Sequence, residues 1–330
     1  MRSRIALLMA PLLLLSMLPG AVSAAPPKDA RAAHRAQVLA YWTPARMRAA
    51  TPRDFTFDAV RGFQPAAKPG GGGGGNVTGA SWTGGGAILK ATGRVLFTMA
   101  GTDYICSGSV VTEGNAGQSI VLTAGHCVVE NDGTFATNWL FIPEFDTAPT
   151  YTCANTVYGC WVADALYADA VFALAGGFNN TAVQHDWAFA VVGAGDRSGA
   201  QLDATVGSFA IQYGVVSAGQ TLSAFGYPAA GKYHGRDLVY CRGPLGTDPN
   251  TGGTTWSMAC DMTGGSSGGP WVQSADPKLY AGTILSSLNS YGYSGVRNMY
   301  GPKFNTTTQA VFGAAESGTL NGSTVRVLFP

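Results

Sequence analysis

A chain of 330 residues with 46% hydrophobic content carries enough apolar side chain for one large or two small packed domains. Net charge is +1, only 12% of residues are charged, and no cluster of Lys and Arg exists, which speaks against nucleic acid or an anionic membrane as partner. Six cysteines and four histidines without Cys-x-x-Cys spacing speak against a zinc site, and no metal or cofactor is expected.

Residues 1–25 read as a secretory signal: Arg2 and Arg4, an apolar run over 5–18, a Pro-Gly break, then Val22-Ser23-Ala24-Ala25. The alternative, an uncleaved anchor, needs about 20 apolar residues to span a bilayer, and this run is shorter. The mature protein is therefore expected to be secreted, extracellular and free of the membrane. Residues 26–75 form the expected prosegment: an Ala, Arg and Pro-rich stretch with one helix over 30–42 stopped before Pro44, then six glycines, Gly70 to Gly75, as a cleavable linker. A disordered extension with no inhibitory role is the competing reading.

From residue 76 the texture changes to short alternating apolar runs set off by Gly, Asn, Asp and Pro, the pattern of an all-β barrel or sandwich. Strands are expected at 87–89, 94–99, 107–112, 119–123, 139–142, 187–192, 209–216, 221–226, 256–260, 269–272 and 279–286. Residues 193–199 suit a boundary between two halves, and 305–315 a late helix.

Three stretches carry chemistry. Gly264-Gly265-Ser266-Ser267-Gly268-Gly269-Pro270 is a glycine-lined turn presenting a serine hydroxyl, which needs a base within hydrogen-bond reach and backbone donors for the oxyanion it generates. Such a turn also occurs as an ordinary loop. Thr123-Ala124-Gly125-His126-Cys127 ends an apolar strand in a small-residue turn that would hold an imidazole firmly. His34 falls in the prosegment and His234 in a charged loop, which leaves His126 as the base ahead of His185. Asp186, at the mouth of the strand Trp187 to Val192, would be substantially buried, and a buried carboxylate needs hydrogen-bond donors such as an imidazole N–H. An aspartate that merely caps a strand turn is the alternative.

These motifs, in the order His, Asp, Ser, resemble the chymotrypsin-like serine peptidases, most closely their bacterial secreted branch, which includes glutamyl endopeptidases. The resemblance covers roughly residues 80–315. It implies two six-stranded antiparallel β-barrels, the first about 80–195 and the second about 200–330 within a peptidase domain of 76–330, with the active site between them. It implies that Ser267 is the nucleophile, His126 the base and Asp186 the acid that orients it, with the Gly265 and Ser267 amides as oxyanion hole. It further implies a disulfide from Cys106 to Cys127. Six cysteines permit 15 connectivities, and sequence proximity suggests Cys153 with Cys160 and Cys241 with Cys260.

The chain departs from the family pattern at Ser266, where animal members carry the acid that receives the new N-terminal amine on activation. Asp261, six residues before Ser267, occupies the place of the acid that binds Lys or Arg side chains in trypsin-like members, so a preference for basic residues is expected, with a loop-satisfying role as alternative. No histidine follows Ser267, which argues against acidic specificity. The strand around residues 284–287, with Ser286, is expected beside the extended substrate. Protein or peptide substrates and a monomer are expected; a catalytically silent binding module on the same fold is the alternative function, and esterase action uses the same machinery.

Overall fold

The computed structural model describes residues 28–58, 62–65, 78–115, 117–147, 152–214, 216–273 and 284–330. The expected signal segment and the glycine run lie outside the described residues, as do 279–283 of one expected strand. No helix among the described residues is long and apolar enough to cross a membrane.

The chain enters through α1 (Lys28–Tyr41), α2 (Pro44–Ala49) and three short strands, β1 (Thr51–Pro52), β2 (Phe55–Asp58) and β3 (Gly62–Pro65). Thr43 caps α2, with Pro44 in the first turn, where a missing N–H costs nothing. This region is no loose appendage. Val38, Trp42 and Met47 are buried in the main core, and the Trp42 indole donates to the Asn138 carbonyl at 2.6 Å. His34 stacks on Phe329 at 4.8 Å between ring centres.

After β4 (Ala80–Ser81) and α3 (Gly86–Ala91) come β5 (Thr92–Met99), β6 (Thr102–Val111), β7 (Ser119–Thr123), β8 (Thr137–Pro143), β9 (Trp161–Asp169) and β10 (Ala188–Val192). They close an antiparallel ring in the order β6-β5-β8-β9-β10-β7, with β7 returning to β6. Ala100 and Gly101 both have positive φ, 47° and 79°, as a two-residue turn matched to the right-handed twist requires. The expected strand at 87–89 is instead part of α3; Ala, Leu and Lys favour helix, and three residues are too few to show a period.

Between β9 and β10 lies the short α4 (Ala170–Ala173); the second half opens with α5 (Leu202–Val206) as connector, then β11 (Ala210–Ile211), β12 (Thr221–Gly226), β13 (Val239–Pro244), β14 (Gly246–Thr247), β15 (Thr255–Ala259), β16 (Pro270–Gln273), β17 (Ile284–Leu288), β18 (Gly292–Tyr293) and β19 (Asn298–Pro302). The second barrel is built from a six-stranded sheet in the order β11-β17-β16-β12-β13-β4 and a three-stranded β14-β15-β19. They share a core of Leu222, Trp256, Met258 and Trp271. Of the strand expected at 209–216, β11 is what forms among the described residues, and Gly214 turns at φ 80°. The late helix is α6 (Thr306–Ser317), capped by the Asn305 side chain, and β20 (Thr324–Leu328) pairs back onto β9.

All three expected disulfides are present, with Cα separations of 6.3 Å for Cys106–Cys127, 5.4 Å for Cys153–Cys160 and 5.6 Å for Cys241–Cys260.

Candidate active site

Strand register brings the first two groups together. β10 runs antiparallel to β7 with Ala188 opposite Thr123, so the residue just before β10 and the turn just after β7 meet at one end of the barrel. That turn, Gly125–Cys127, is one round of 3₁₀ helix carrying His126, held from behind by the Cys106–Cys127 disulfide. Gly125 is required: a Cβ there would stand 2.9 Å from the Phe172 ring and 3.0 Å from the Asp186 carboxylate.

Asp186 is fully buried and its oxygens are satisfied by the His126 amide at 2.8 Å, the His126 Nδ1 at 2.8 Å and the Ser290 hydroxyl. Burying this carboxylate is tolerable because three donors replace its water. Nδ1 therefore carries the proton and Nε2 is the basic nitrogen. Nε2 is buried without a hydrogen-bond partner, so the bond between base and serine is not made in this state.

Ser267 lies in the loop between β15 and β16. Ser107 on β6 stitches that loop to the first barrel: its amide donates to the Ser267 carbonyl at 2.7 Å and its hydroxyl to the Gly265 carbonyl at 2.8 Å. Gly268, at φ 83°, sits so close that a Cβ would come within 2.2 Å of Thr123 Oγ1. Among the described residues, the loop's own amide bonds run from Ser266 to Thr263, Gly268 to Asn289 and Gly269 to Ser266. The Gly265 and Ser267 amides take no part in them.

Beside Ser267 a pocket is walled by residues 260–264, Ser266 and Ser267 on one side and by residues 289–299 on the other. Asp261 lines it, but its oxygens are already engaged by the Gly79 amide (2.8 Å), the Tyr233 hydroxyl (2.5 Å) and Lys232 Nζ (2.7 Å). Burial raises this carboxyl's pKa, and the bonds from Lys232, Tyr233 and Gly79 outweigh that effect and hold it below the usual range. Ser286 does not reach the pocket; it is buried in β17 and accepts from Gln273 at 3.1 Å. The pocket is bordered instead by the stretch that follows β17, from Asn289 onward. Its wall is fixed by Asp248, fully buried, which accepts from both Tyr291 and Tyr293 hydroxyls at 2.6 Å.

A segment from the N-terminal region lies along the cleft. β1 pairs parallel with β6 at Tyr104 and Ile105, and β2 pairs parallel with β18 at Gly292 and Tyr293. Between them Arg53 donates to the His126 carbonyl and to Glu130, Asp54 lines the pocket with Ser267, and the Phe55 ring stands edge-on to the His126 ring at 5.4 Å. Phe55 also stacks on Phe178 at 4.0 Å. Burial pushes the Asp54 carboxyl up to about 6, against partial relief from His126 and the Phe55 amide. The roles of Ser290, Ser107 and Asp248 are not legible in the sequence: a serine or aspartate in a Gly and Ser-rich chain gives no local signal of its partner.

No protein-family model and no curated protein sequence matches the chain. Among solved structures it is similar to protease Anisep from Arthrobacter nicotinovorans, at 37% identity over 71% of this chain and 98% of that one, with a TM-score of 0.60. It is similar also to the thermostable serine protease AL20 from an extremophilic microorganism, at 34% identity over 71% of this chain and all of that one, TM-score 0.60. A Glu endopeptidase matches at 18% identity over 74% of this chain and 98% of that one, TM-score 0.54, a likeness of fold alone. With the mostly-β fold and these relatives together, the chain belongs to the bacterial chymotrypsin/trypsin-like serine proteases and is a serine endopeptidase.

Proposed function

We propose that the protein is a secreted endopeptidase made as a latent full chain, working through Ser267, His126 and Asp186. The observation that carries this reading is the buried Asp186 to His126 Nδ1 bond at 2.8 Å, which leaves Nε2 as acceptor on a turn whose Cys127 sulfur lies 4.0 Å from the Ser267 carbonyl. Ser267 attacks the scissile carbonyl as Nε2 takes its proton, and the imidazolium then protonates the leaving amine. The Gly265 and Ser267 amides stabilise the oxyanion, a donor of this kind being worth about 3 kcal/mol of barrier. Water releases the acyl-enzyme by the reverse sequence.

Latency follows from the direction of residues 51–58. In a productive complex the acyl part of the substrate, N-terminal to the cut, fills the pocket beside Ser267, and the leaving part lies on the His126 side. Here residues 51–53 lie on the His126 side and 56–57 beside the pocket, so the segment runs the opposite way. It fills the cleft in a polarity unsuited to cleavage, and Phe55 covers the base. This supports removal of the prosegment as the activating step, with no role for an acid at position 266.

The docked segment should also respond to pH. An Asp54 carboxyl raised from 3.8 to about 6 contributes full docking strength below pH 4, loses it progressively to pH 6, and is penalised above. The penalty is at most about 3 kcal/mol, less for the part of the carboxylate that water still reaches. Asp54→Asn in the full chain is expected to raise the melting temperature by a few degrees at pH 7.5 and by nothing at pH 4; equal gains at both would rule the linkage out.

A preference for basic residues before the cut rests on Asp261. Lys232, with 48% of its side chain exposed, already pairs with it, so an incoming cation must displace Lys232. Digesting a peptide library with the activated enzyme tests this: cuts clustered after Lys and Arg support Asp261 as determinant, and cuts after other residues assign it to holding Gly79 and Tyr233.

A further inference from the structure

The Arg53 guanidinium marks a site that remains when the segment leaves. Nε donates to the His126 carbonyl at 2.7 Å, Nη2 to Glu130 Oε2 at 2.6 Å, and the group lies 5.2 Å from the centre of the Tyr104 ring. Arg53 is only 9% exposed, although it sits on a segment that must depart for substrate to enter. On its departure a carbonyl lone pair, a carboxylate and an aromatic face are left without the cation they surround. All three are fixed by elements that stay: Tyr104 by β6, the His126 carbonyl by the disulfide-braced turn, and Glu130 by the backbone bonds of its own loop with Gly133 and Thr134.

The geometry points to a guanidinium-binding subsite on the leaving-group side of the scissile bond, formed by Glu130, the His126 carbonyl and Tyr104, which selects substrates carrying arginine just after the cut. It rests on the peptidase reading above. The placement is on the leaving side because Arg53 donates to the residue that must protonate the new amine, and because its own amide bonds Ile105 on the β6 edge at 3.2 Å. A substrate strand on that edge alternates its side chains as the segment does, whichever way it runs. Planar, five-donor arginine fits a carbonyl and carboxylate pair in a way that lysine does not. The subsite is separate from the pocket of Asp261, which receives the residue before the cut, so the enzyme would read charge on both sides of the bond.

The test starts from the full chain, folded intact, with a recognition site for a specific processing protease substituted into residues 70–75. After cutting, dilution to nanomolar concentration releases the segment by mass action. Two peptide sets are compared, each carrying arginine or its neutral isostere citrulline at the first or second position after the cut. The expected kcat/KM ratio of arginine to citrulline is about ten at one of these positions, the scale of hydrogen bonds to a charged group. It falls to about one in Glu130→Gln and stays above one in Glu130→Asp. A wild-type ratio near one at both positions overturns the subsite, and so does a ratio that Glu130→Gln leaves intact. The wild-type ratio decides alone if the variant does not fold. Failure to cleave any peptide would instead overturn the peptidase reading, and the subsite with it.

Discussion

Replacing Asp186 with asparagine is expected to lower the kcat of the activated enzyme about 10,000-fold while the chain still folds. The carboxylate accepts from the His126 amide, the His126 ring and Ser290, with no water in reach. An asparagine must present an NH2 to one of these donors. Turned toward the ring, it forces the imidazole to accept at Nδ1 and to carry its proton on Nε2, where it can no longer take one from Ser267. The stability cost is one mismatched hydrogen bond, about 1–3 kcal/mol, because two donors keep an acceptor. Circular dichroism and peptide turnover separate the two effects. A kcat within tenfold of wild type would remove Asp186 from the chemistry.

The second large effect lies in the full chain. Residues 51–58 are tethered to the cleft they occupy, and a tethered ligand acts at an effective concentration in the millimolar range. Arg53→Ala with Phe55→Ala removes two hydrogen bonds, one to a carboxylate, and the ring that covers His126. Turnover of a small peptide substrate by the uncut double variant is expected to exceed that of the uncut wild type about 100-fold. Equal turnover would mean that these contacts do not hold the cleft shut.

What the sequence made legible was local. His126, Asp186 and Ser267 each stand in a short stretch whose turn residues mark them as candidates, and the antiparallel pairing of β7 with β10 brings the first two together. The helix over 30–42 was readable from composition and the following proline, and appears as α1. β9 was not readable. Its outward face is covered by α1 and α6, so it lacks the polar alternation of an ordinary barrel strand, and its alanines carry little strand preference. β13 and β19 were missed for a related reason, since prolines and glycines within them read as turns. Asp261 shows the limit of position alone: the residue type matched, but its partners Lys232, Tyr233 and Gly79 come from distant parts of the chain. The docking of residues 51–58 depends on pairing across more than 200 residues with β18, which no local pattern encodes.

The role of Ser267 is tested most directly by a serine-directed fluorophosphonate applied to the chain after release of residues 1–75, with the label mapped by peptide sequencing and casein hydrolysis measured in parallel. The expected result is label on Ser267 with casein cleaved, both abolished in Ser267→Ala. An unlabelled Ser267 with casein intact would contradict it and leave a silent binding module on the same fold.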